Sequence, residues 1–525
     1  MFKNILLTML TGFFLFSSVS FAKDVDLKPI EKLESNAKQV KPLIQRVLKK
    51  NTSDLDEMLK KQTIRVLVVK SKAFYDVQKG RGHGLYHDAI VSLEKQINKN
   101  YPNKNKHIRT KLITVPVSRD ALIPALNAGY GDLALADNTI TKRRKRQIQF
   151  TTPFASGIKE ILVTNKSLGN IKAYEDLSGK KIYVKASGSH MDSLINVNET
   201  LVLKGYEPMF IEAIPEELES EDILELVDSG LIEMTIMDDY KAKLWSSVYK
   251  NLQLHTDITF REDSQLAIML RKDNPLLLKE LNIFVEKHKY DTSFGRSMVK
   301  KYYSTTRYLK EIKTGISKKK FVKLQNTFSK YAKRYKLDPL MLMAQAYQES
   351  KFIQNSKSHV GAKGVMQLMP ATAREMNVGS INNLDSNIHA GVKYHKLLKD
   401  RYFNDSKIDN VNRALFIFAG YNAGPNKINR LRKIAKEKGL NPNEWFGNVE
   451  IIAAEKIGRE TVQYIENIYN YYVAYTLINI EEEAKLRAKI AMFYDNENKD
   501  DSKLSKREKK IRKELAYLTS NRKKS

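Results

Sequence analysis

Two hydrophobic patterns follow one another along the chain. Between residues 61 and 305, short apolar runs such as 64–69 and 112–115 alternate with stretches of helical spacing such as 87–97. A β-branched apolar run is typical of a strand that is buried on both faces. Strands that alternate with helices predict an α/β fold, and the alternation starts again after Pro153. We therefore expect two α/β lobes in this region.

From residue 321 to residue 480 the strand pattern is absent, and helical spacing predicts a separate all-α domain. The polar, lysine-rich stretch 306–320 is the expected linker. Residues 23–60 show sparse helical spacing and are expected to form a helical lead-in. The charges crowd together in the tail 481–525, which predicts a basic segment that stays in water. The predicted fold class is multidomain, with an α/β two-lobed domain followed by an all-α domain.

The first residues have the pattern of an export signal. Lys3 supplies the positive region, residues 5–16 are mostly apolar, and Ser20-Phe21-Ala22 is a small-x-small cleavage site. A signal peptide is therefore predicted at 1–22, and an uncleaved N-terminal anchor is the alternative. Later segments show no uninterrupted apolar run of about 20 residues, so the mature chain is not expected to span a bilayer.

The chain has 525 residues, with 90 Lys plus Arg against 60 Asp plus Glu and a net charge of +30. Such a field attracts nucleic acid, an anionic membrane surface or an acidic wall polymer, and charge alone does not choose among them. The export signal and the lack of a recognition motif exclude nucleic acid as the expected partner. Because cysteine is absent, disulfides, thiolate metal sites, a thiol nucleophile and a lipid-bearing Cys are excluded.

One carboxylate in the all-α region has the setting of a proton donor. Asp338-Pro339 is a cap and first-position pair, and the helix that it starts is apolar all round at 340–344 and must be buried. Glu349 lies near the far end of this helix. Low dielectric and the negative end of the helix dipole both raise the pKa of a carboxyl group there. The alternative is an exposed Glu at a helix terminus, which this helix alone would favour.

Three downstream motifs change that balance. They are Gly364-Val365-Met366-Gln367-Leu368-Met369-Pro370, Tyr421-Asn422-Ala423-Gly424 and Glu460-Thr461-Val462-Gln463-Tyr464. Glycines allow close backbone approach, the Gln and Asn amides both donate and accept, and the tyrosines add aromatic rings, as a sugar-binding wall requires. Met366 and Tyr421 also fit simple core packing, whereas buried amides need partners.

Together with Glu349-Ser350, these motifs resemble in order those of the lytic transglycosylase family with a soluble-lytic-transglycosylase, goose-lysozyme-like domain. Gly420 departs from the Ala that usually precedes Tyr-Asn. The resemblance implies a lysozyme-like fold, Glu349 as the catalytic residue, and peptidoglycan glycan strands as substrate. It implies that substrate is bound by six residues: Ser350, Met366, Gln367, Tyr421, Asn422 and Tyr464.

The implied reaction is a lyase reaction without water. Most glycosidases use two carboxylates, but these motifs supply one obvious candidate, so Glu349 would act as acid and then as base. It would protonate the oxygen between N-acetylmuramic acid and N-acetylglucosamine and then deprotonate the muramyl 6-hydroxyl, leaving a 1,6-anhydro end. Either the substrate acetamido group or backbone dipoles with Tyr464 would stabilise the oxocarbenium-like state. No cofactor and no metal are implied.

The α/β region resembles the family 3 extracellular solute-binding proteins, on the stretches 122–136, 139–144 and 150–154. The resemblance implies that Thr139 and Arg144 hold the carboxylate of a regulatory ligand, a muropeptide or an amino acid. Arginine suits this role because its planar fork meets two oxygens at once. The alternative is that residues 143–146 are a solvated basic run.

The pairing of the two domains resembles the membrane-bound lytic murein transglycosylase F type. This implies a periplasmic enzyme of cell wall remodelling, peripheral to the outer membrane of a Gram-negative bacterium. Two other functions stay open at this point. One is a non-enzymatic periplasmic sensor that only grips glycan or solute, and the other is a lysozyme-like hydrolase, whose products would each carry an added water.

Overall fold

The computed structural model describes residues 46–78, 81–169, 171–303 and 316–495. The expected signal peptide at 1–22 lies outside the described residues, as do residues 23–45 of the lead-in and 496–525 of the tail. None of the described helices combines the length and the apolarity that a bilayer crossing requires.

The α/β region is built, in its described part, on one nine-stranded sheet with strand order β4-β1-β5-β11-β7-β10-β8-β9 and with β6 beside β11. A separate two-stranded ribbon is formed by β2 and β3. The strands are β1 Thr63–Val68, β2 Asp76–Gln78, β3 Arg81–His83, β4 Lys111–Pro116, β5 Leu133–Thr139, β6 Gln149–Phe150, β7 Ala155–Asn165, β8 Lys181–Lys185, β9 Phe210–Ile214, β10 Met234–Asp238 and β11 Leu252–Leu270.

The sheet divides into two lobes. In the first lobe β1 pairs in parallel with β4 and β5, and in the second lobe β8 pairs in parallel with β9 and β10. The long antiparallel strands β7 and β11 join the lobes, and the register of β11 against β7 shifts several times between His255 and Leu266. Bulges of this kind bend a strand, so these shifts lie where the chain passes from one lobe to the other.

Helices cover the faces of this sheet. They are α1 Leu55–Lys60, α2 Leu85–Asn100, α3 Leu122–Asn127, α4 Lys142–Gln147, α5 Ser189–Leu203, α6 Ser220–Asp228, α7 Asp239–Ser246, α8 Pro275–His288 and α9 Ser293–Tyr303. Pro275 occupies the first turn of α8, where a missing N–H costs no hydrogen bond. The alternation that predicts an α/β domain is therefore confirmed.

The second region, described over 316–495, consists of helices joined by loops, the longest of which is 351–369. Its helices are α10 Ile316–Tyr335, α11 Pro339–Ser350, α12 Pro370–Met376, α13 Leu384–Tyr402, α14 Asn410–Ala423, α15 Pro425–Glu437, α16 Glu450–Ile457 and α17 Arg459–Asp495. The apolar helix α14 is buried along residues 414–420, and Phe416 and Phe418 are fully enclosed. Helices α11, α13 and α17 pack around this core.

Two stretches differ from their predicted character. Helix α10 begins at Ile316, inside the expected linker. Helix α17 continues to Asp495 through the first part of the tail that was expected to stay in water. The physical reason is that Lys485 and Lys489 meet buried Asp222 of α6 at 2.7 Å and 2.5 Å. A charged sequence favours solvation only when no buried counter-charge faces it.

Candidate active site

Glu349 lies in the last turn of α11. The helix starts because the Asp338 side chain accepts a hydrogen bond from the backbone N–H of Leu340 at 3.0 Å, with Pro339 in the first position. It stops because Lys351 is left-handed, with φ of 55°, and its N–H donates to the Tyr347 carbonyl. Glu349 is half-buried at this end.

The carboxyl group of Glu349 is poised near neutral pH. Burial raises its pKa to about 7, while hydrogen bonds from Tyr464 and Gln345 and the charge of Lys351 act in the opposite direction. The Tyr464 hydroxyl donates to Glu349 Oε1. The group can therefore hold a proton at neutral pH and also be stabilised once it has given the proton away.

A chain of donors leads to this carboxylate from the core. His395 Nε2 donates to Gln345 Oε1, Gln345 Nε2 donates to the Tyr464 hydroxyl at 2.8 Å, and that hydroxyl donates to Glu349. Burial lowers the pKa of His395 to about 3, so its ring is neutral and has one N–H to give. Each hydrogen bond in this series therefore has its donor on the side away from Glu349.

Gln345 and His395 were not among the residues predicted from the sequence. The signal for Gln345 was its position one helical turn before Glu349, on the same face of α11. His395 follows Tyr394 directly and had no signal of its own, because a lone histidine in a helix is more often core.

Tyr421 lies close to Glu349 without bonding to it. Its hydroxyl donates to the Met366 carbonyl at 2.8 Å. The pKa of Tyr421 is raised well above its ordinary value, first by burial and then by the negative charge of Glu349. Its ring packs against those of Tyr394 and His395, with centroids 5.1 Å and 5.2 Å away. Tyr421 thus fixes the Met366 loop beside the carboxylate.

The Met366 loop forms a wall next to Glu349. Met366 is fully buried, and its N–H donates to Asn387 Oδ1 at 2.8 Å. Gly364 has φ of 83°, and a Cβ there would come 2.1 Å from Asn387 Nδ2, so only glycine fits. The Gln367 amide donates to the Gly364 carbonyl at 2.8 Å. The side-chain N–H of Gln367 therefore stabilises the turn of this loop.

Ser350 and Asn422 join neighbouring elements. Ser350 is buried, and its hydroxyl donates to the Val365 carbonyl at 2.9 Å, which ties α11 to the Met366 loop. Asn422 is exposed at the end of α14, where its Oδ1 accepts from the Thr461 hydroxyl at 2.7 Å. The structure thus brings Glu349, Tyr421 and Tyr464 together, and it places the other predicted residues around them.

The structure also brings Thr139 and Arg144 together, in a cavity of about 50 Å³ between the two lobes. Arg144 is buried and donates to the carbonyls of Thr139 and Ser187, each at 3.0 Å. The basic run prediction holds for residues 143, 145 and 146, which are exposed. Several charged residues that were not predicted from the sequence also line this cavity: Arg119, Asp137, Lys185, Glu219, Asp238 and Lys241.

Two protein families match the chain. Bacterial extracellular solute-binding proteins, family 3, match residues 75–305, and the transglycosylase SLT domain matches residues 326–443. The chain pairs a solute-binding domain with an SLT domain. The SLT match contains Glu349 and the 366–367 and 421–422 pairs, whereas Tyr464 lies beyond it on α17. The α/β two-lobed fold and the helical SLT fold predicted from the sequence are both confirmed.

Curated relatives align with both domains. Membrane-bound lytic murein transglycosylase F of Desulfosudis oleivorans is 29% identical over 67% of this chain and 79% of the relative. The protein of the same name from Pseudomonas putida is 28% identical over 67% of this chain and 74% of the relative. The predicted resemblance to this type is confirmed at that level of identity.

Among solved structures, a putative binding component of an ABC transporter from Wolinella succinogenes, complexed with lysine, aligns with the solute-binding domain. It covers 47% of this chain and 99% of its own, at 21% identity and a TM-score of 0.39. At that score the likeness adds nothing to the family match.

Proposed function

We propose that this protein is a lytic murein transglycosylase that cleaves the bond between N-acetylmuramic acid and N-acetylglucosamine in peptidoglycan and leaves 1,6-anhydro ends. The observation that carries the proposal is the half-buried Glu349 of the SLT domain, with a pKa of about 7 and a hydrogen bond from Tyr464. Most glycosidases use two carboxylates, whereas the motifs of this domain supply one obvious candidate, so we assign both proton transfers to Glu349.

In the first step, protonated Glu349 donates its proton to the glycosidic oxygen, and the bond to the anomeric carbon of the muramyl residue breaks. The Tyr464 hydroxyl then stabilises the carboxylate that is left, because charge-assisted hydrogen bonds are about twice as strong as neutral ones. In the second step, Glu349 takes the proton of the muramyl 6-hydroxyl as that oxygen attacks the anomeric carbon. The acid is restored, and no water enters.

The surrounding residues would position the glycan. Exposed Asn422 offers its amide at the mouth of the site, and Tyr421 holds the Met366 backbone beside Glu349. We assign Ser350 and Gln367 to the same wall, since both bond to backbone carbonyls of the 356–366 loop. This wall would hold the scissile bond next to the carboxylate.

Mass spectrometry of digested sacculi tests the proposal. Wild type should release muropeptides one water lighter than hydrolysis products, and Glu349→Gln should release them about 10²–10⁴-fold more slowly. Glu460→Gln is the matched control, because this glutamate is exposed on α17 and should digest like wild type. Products that carry the added water would establish a hydrolase, and a wild type that leaves sacculi intact would establish a glycan-binding protein.

We further propose that the solute-binding domain regulates the enzyme by binding a muropeptide or an amino acid at Thr139 and Arg144. Helix α17 supports this, because it carries Tyr464 near one end and Lys485 and Lys489 near the other, where both meet Asp222 of the second lobe. A lobe movement would reach the active site through one helix. Addition of purified muropeptides to the full chain should change its rate of sacculus digestion, and an unchanged rate would contradict the regulatory role.

We also propose a periplasmic location, peripheral to the outer membrane. The sequence pattern of 1–22 supports export, and the net charge of +30 favours an anionic surface. Fractionation should place the mature protein in the periplasm with an N-terminus at Lys23, and salt should release it from membranes. Full recovery from the cytosol would contradict the proposal.

A further inference from the structure

The cavity between the two lobes of the solute-binding domain is lined by an unusual balance of charge. Four cations face three carboxylates when His190 is counted as neutral. The cations are Arg119, Arg144, Lys185 and Lys241, and the carboxylates are Asp137, Glu219 and Asp238. All seven side chains are buried or nearly so. The lining thus carries one positive charge in excess.

Each of the three carboxylates is already paired within the protein. Glu219 meets Arg119 at 2.7 Å and also contacts Lys185. Asp137 meets Arg119 at 3.2 Å and contacts the Lys241 ammonium. Asp238 meets Lys241 at 2.8 Å. A ligand that entered this cavity would therefore find no carboxylate in the lining that lacks a cation.

Asp238 and Lys241 are the pair of this network that decides whether a positively charged ligand group would find a partner. Asp238 also bonds to His190 at 3.2 Å, and its pKa is held well below the ordinary value although it is buried, because Lys241 and His190 stabilise its charge. The Lys241 ammonium lies between Asp137 of the first lobe and Asp238 of the second. It therefore already occupies the space between these two carboxylates.

Arg144 is the cation that accounts for the excess. Its guanidinium donates to two backbone carbonyls, and within the described residues no carboxylate lies in ion-pair distance of it. Burial, with the charges of Arg119 and Arg143, lowers its pKa to about 10, and the more distant charges of Asp192 and Glu160 oppose this shift only in part. A buried arginine without a counter-ion is unfavourable, and an incoming anion would relieve that cost.

We propose that this cavity binds a carboxylate that has no ammonium group beside it, as at the C-terminus of a peptide or an N-acylated amino acid, and that Lys241 sets this preference. The proposal rests on the proposed ligand binding by the solute-binding domain and deepens it. The carboxylate pairs with Arg144 and balances the lining. A free amino acid would also bring an ammonium group, which would lie near Lys241 and find both aspartates neutralised. Like charges buried together are unfavourable, so the free amino acid binds less well.

The cavity volume agrees with a small anionic group. About 50 Å³ holds a few water molecules, which is the space that a carboxylate needs, and a longer ligand requires the lobes to part. The ion pairs of Arg119 with Glu219 and of Lys241 with Asp137 connect the lobes around it.

Calorimetric titration of the full chain with three probes tests the preference. The probes are N-acetylalanine, which has only the carboxylate, alanine, which has both groups, and alaninamide, which has only the ammonium. We expect N-acetylalanine to bind at least about tenfold more tightly than alanine, and alaninamide not to bind. Alanine binding as tightly as N-acetylalanine would overturn the preference but leave ligand binding intact. If neither these probes nor muropeptides bind, ligand binding itself is overturned, whereas sacculus digestion tests the enzyme separately.

Three variants place the binding. Arg144→Gln should abolish the binding of N-acetylalanine, and Lys145→Gln, the same charge change at the exposed neighbour, should leave it unchanged. Lys241→Gln should reduce the ratio of the affinities for N-acetylalanine and alanine by about tenfold, because Asp238 loses the Lys241 charge and can then pair with the ammonium group of alanine. If Lys241→Gln does not fold, the ratio measured for wild type still decides. Unchanged binding in Arg144→Gln would overturn the assignment of the site.

Discussion

In the proposed reaction the carboxyl group of Glu349 acts first as an acid and then as a base, and two opposing influences on its pKa suit this double role. Burial favours the protonated form, and the hydrogen bond from Tyr464 favours the ionised form. A group that acts as acid and then as base works best when its pKa lies near the working pH, since neither form is then rare. The balance depends on the position of Tyr464, which Gln345 and His395 fix from behind.

Glu349→Gln is predicted to lower sacculus cleavage by about 10²–10⁴-fold and to stabilise the protein at alkaline pH. The pKa of Glu349 is about 7 in the folded protein, against 4.5 as its ordinary value. The folded state therefore binds more protons between these values, and stability falls as the pH rises through this window. At pH 8 the ionised carboxylate costs up to about 3 kcal/mol, which the neutral amide avoids.

Urea unfolding of both proteins at about pH 4 and pH 8 measures this difference, since the group is protonated at the lower pH and ionised at the higher one. The free energies of unfolding should agree at the lower pH and differ at the higher one. Glu460→Gln, an exposed change on α17, should show neither effect. Equal free energies at pH 8 for wild type and Glu349→Gln would mean that the carboxyl group is not poised as described.

Tyr464→Phe is predicted to shift the pH dependence of cleavage. The variant removes a hydrogen bond that lowers the pKa of Glu349, so that pKa rises, and the activity lost on the alkaline side should move up by about one to two pH units. The maximal rate should fall about tenfold, because the carboxylate formed in the first step loses a donor. Tyr469→Phe, a buried tyrosine of the same helix, is the control. A lower rate with an unchanged pH profile would show only a packing role.

At the scale of helices and strands, the sequence predicted the features that depend on neighbouring residues alone, such as where a helix begins and which runs form strands. The Asp338-Pro339 pair begins α11 where the sequence places it, and the run 64–69 became β1 because β-branched residues fit a doubly buried strand. The end of α17 could not be predicted in this way. Its lysines bond to Asp222, which is distant in sequence, and no local pattern carries that information. The bonds from His395 to Gln345 and from there to Tyr464 depend on three separate helices for the same reason.

Gly420 shows how two elements constrain one residue. It lies in α14 where the related motif usually has Ala, and a Cβ at this position would lie 2.8 Å from Cε2 of Phe403, just after α13. Gly420→Ala is predicted to destabilise the protein by about 1–3 kcal/mol, because the overlap exceeds the gain of about 1 kcal/mol in helix propensity.

The matched change is Phe403→Leu, which removes the overlapping ring atoms but leaves a cavity when made alone. The double variant should be more stable than the sum of the two single changes predicts, by about 1–2 kcal/mol. Urea unfolding of the four proteins measures this coupling. Strictly additive free energies would show that the helices shift apart at no cost and that Phe403 does not explain the glycine.

At the scale of the whole molecule, α17 is the element that both domains share. It packs on α11 beside the active site and also contacts β4 of the first lobe. Farther along, Lys485 and Lys489 contact Asp222, while Glu219, which precedes the same helix α6, lines the cavity between the two lobes. Helices α17 and α6 thereby connect the Glu349 site, β4 of the first lobe and the cavity between the lobes, which lie far apart in the sequence. These contacts can couple the cavity to the Glu349 site only if each helix moves as a rigid unit.

Lys485→Met is predicted to weaken this connection. Asp222 is buried, and its pKa is held well below the ordinary value by Lys485 first and then Lys489, so it stays ionised and needs both cations. Removing one of them should cost about 1–3 kcal/mol, less than the full loss of a buried pair because Lys489 remains. The same variant should keep its basal digestion of sacculi and lose most of the response to added muropeptides, because α6 would no longer hold α17.

Lys438→Met is the control. It breaks an exposed pair with Glu455 at 2.6 Å, and it should cost less than about 1 kcal/mol of stability and keep the response to muropeptides. If the two variants unfold at the same urea concentration and respond equally to muropeptides, the contact with Asp222 does not connect the domains.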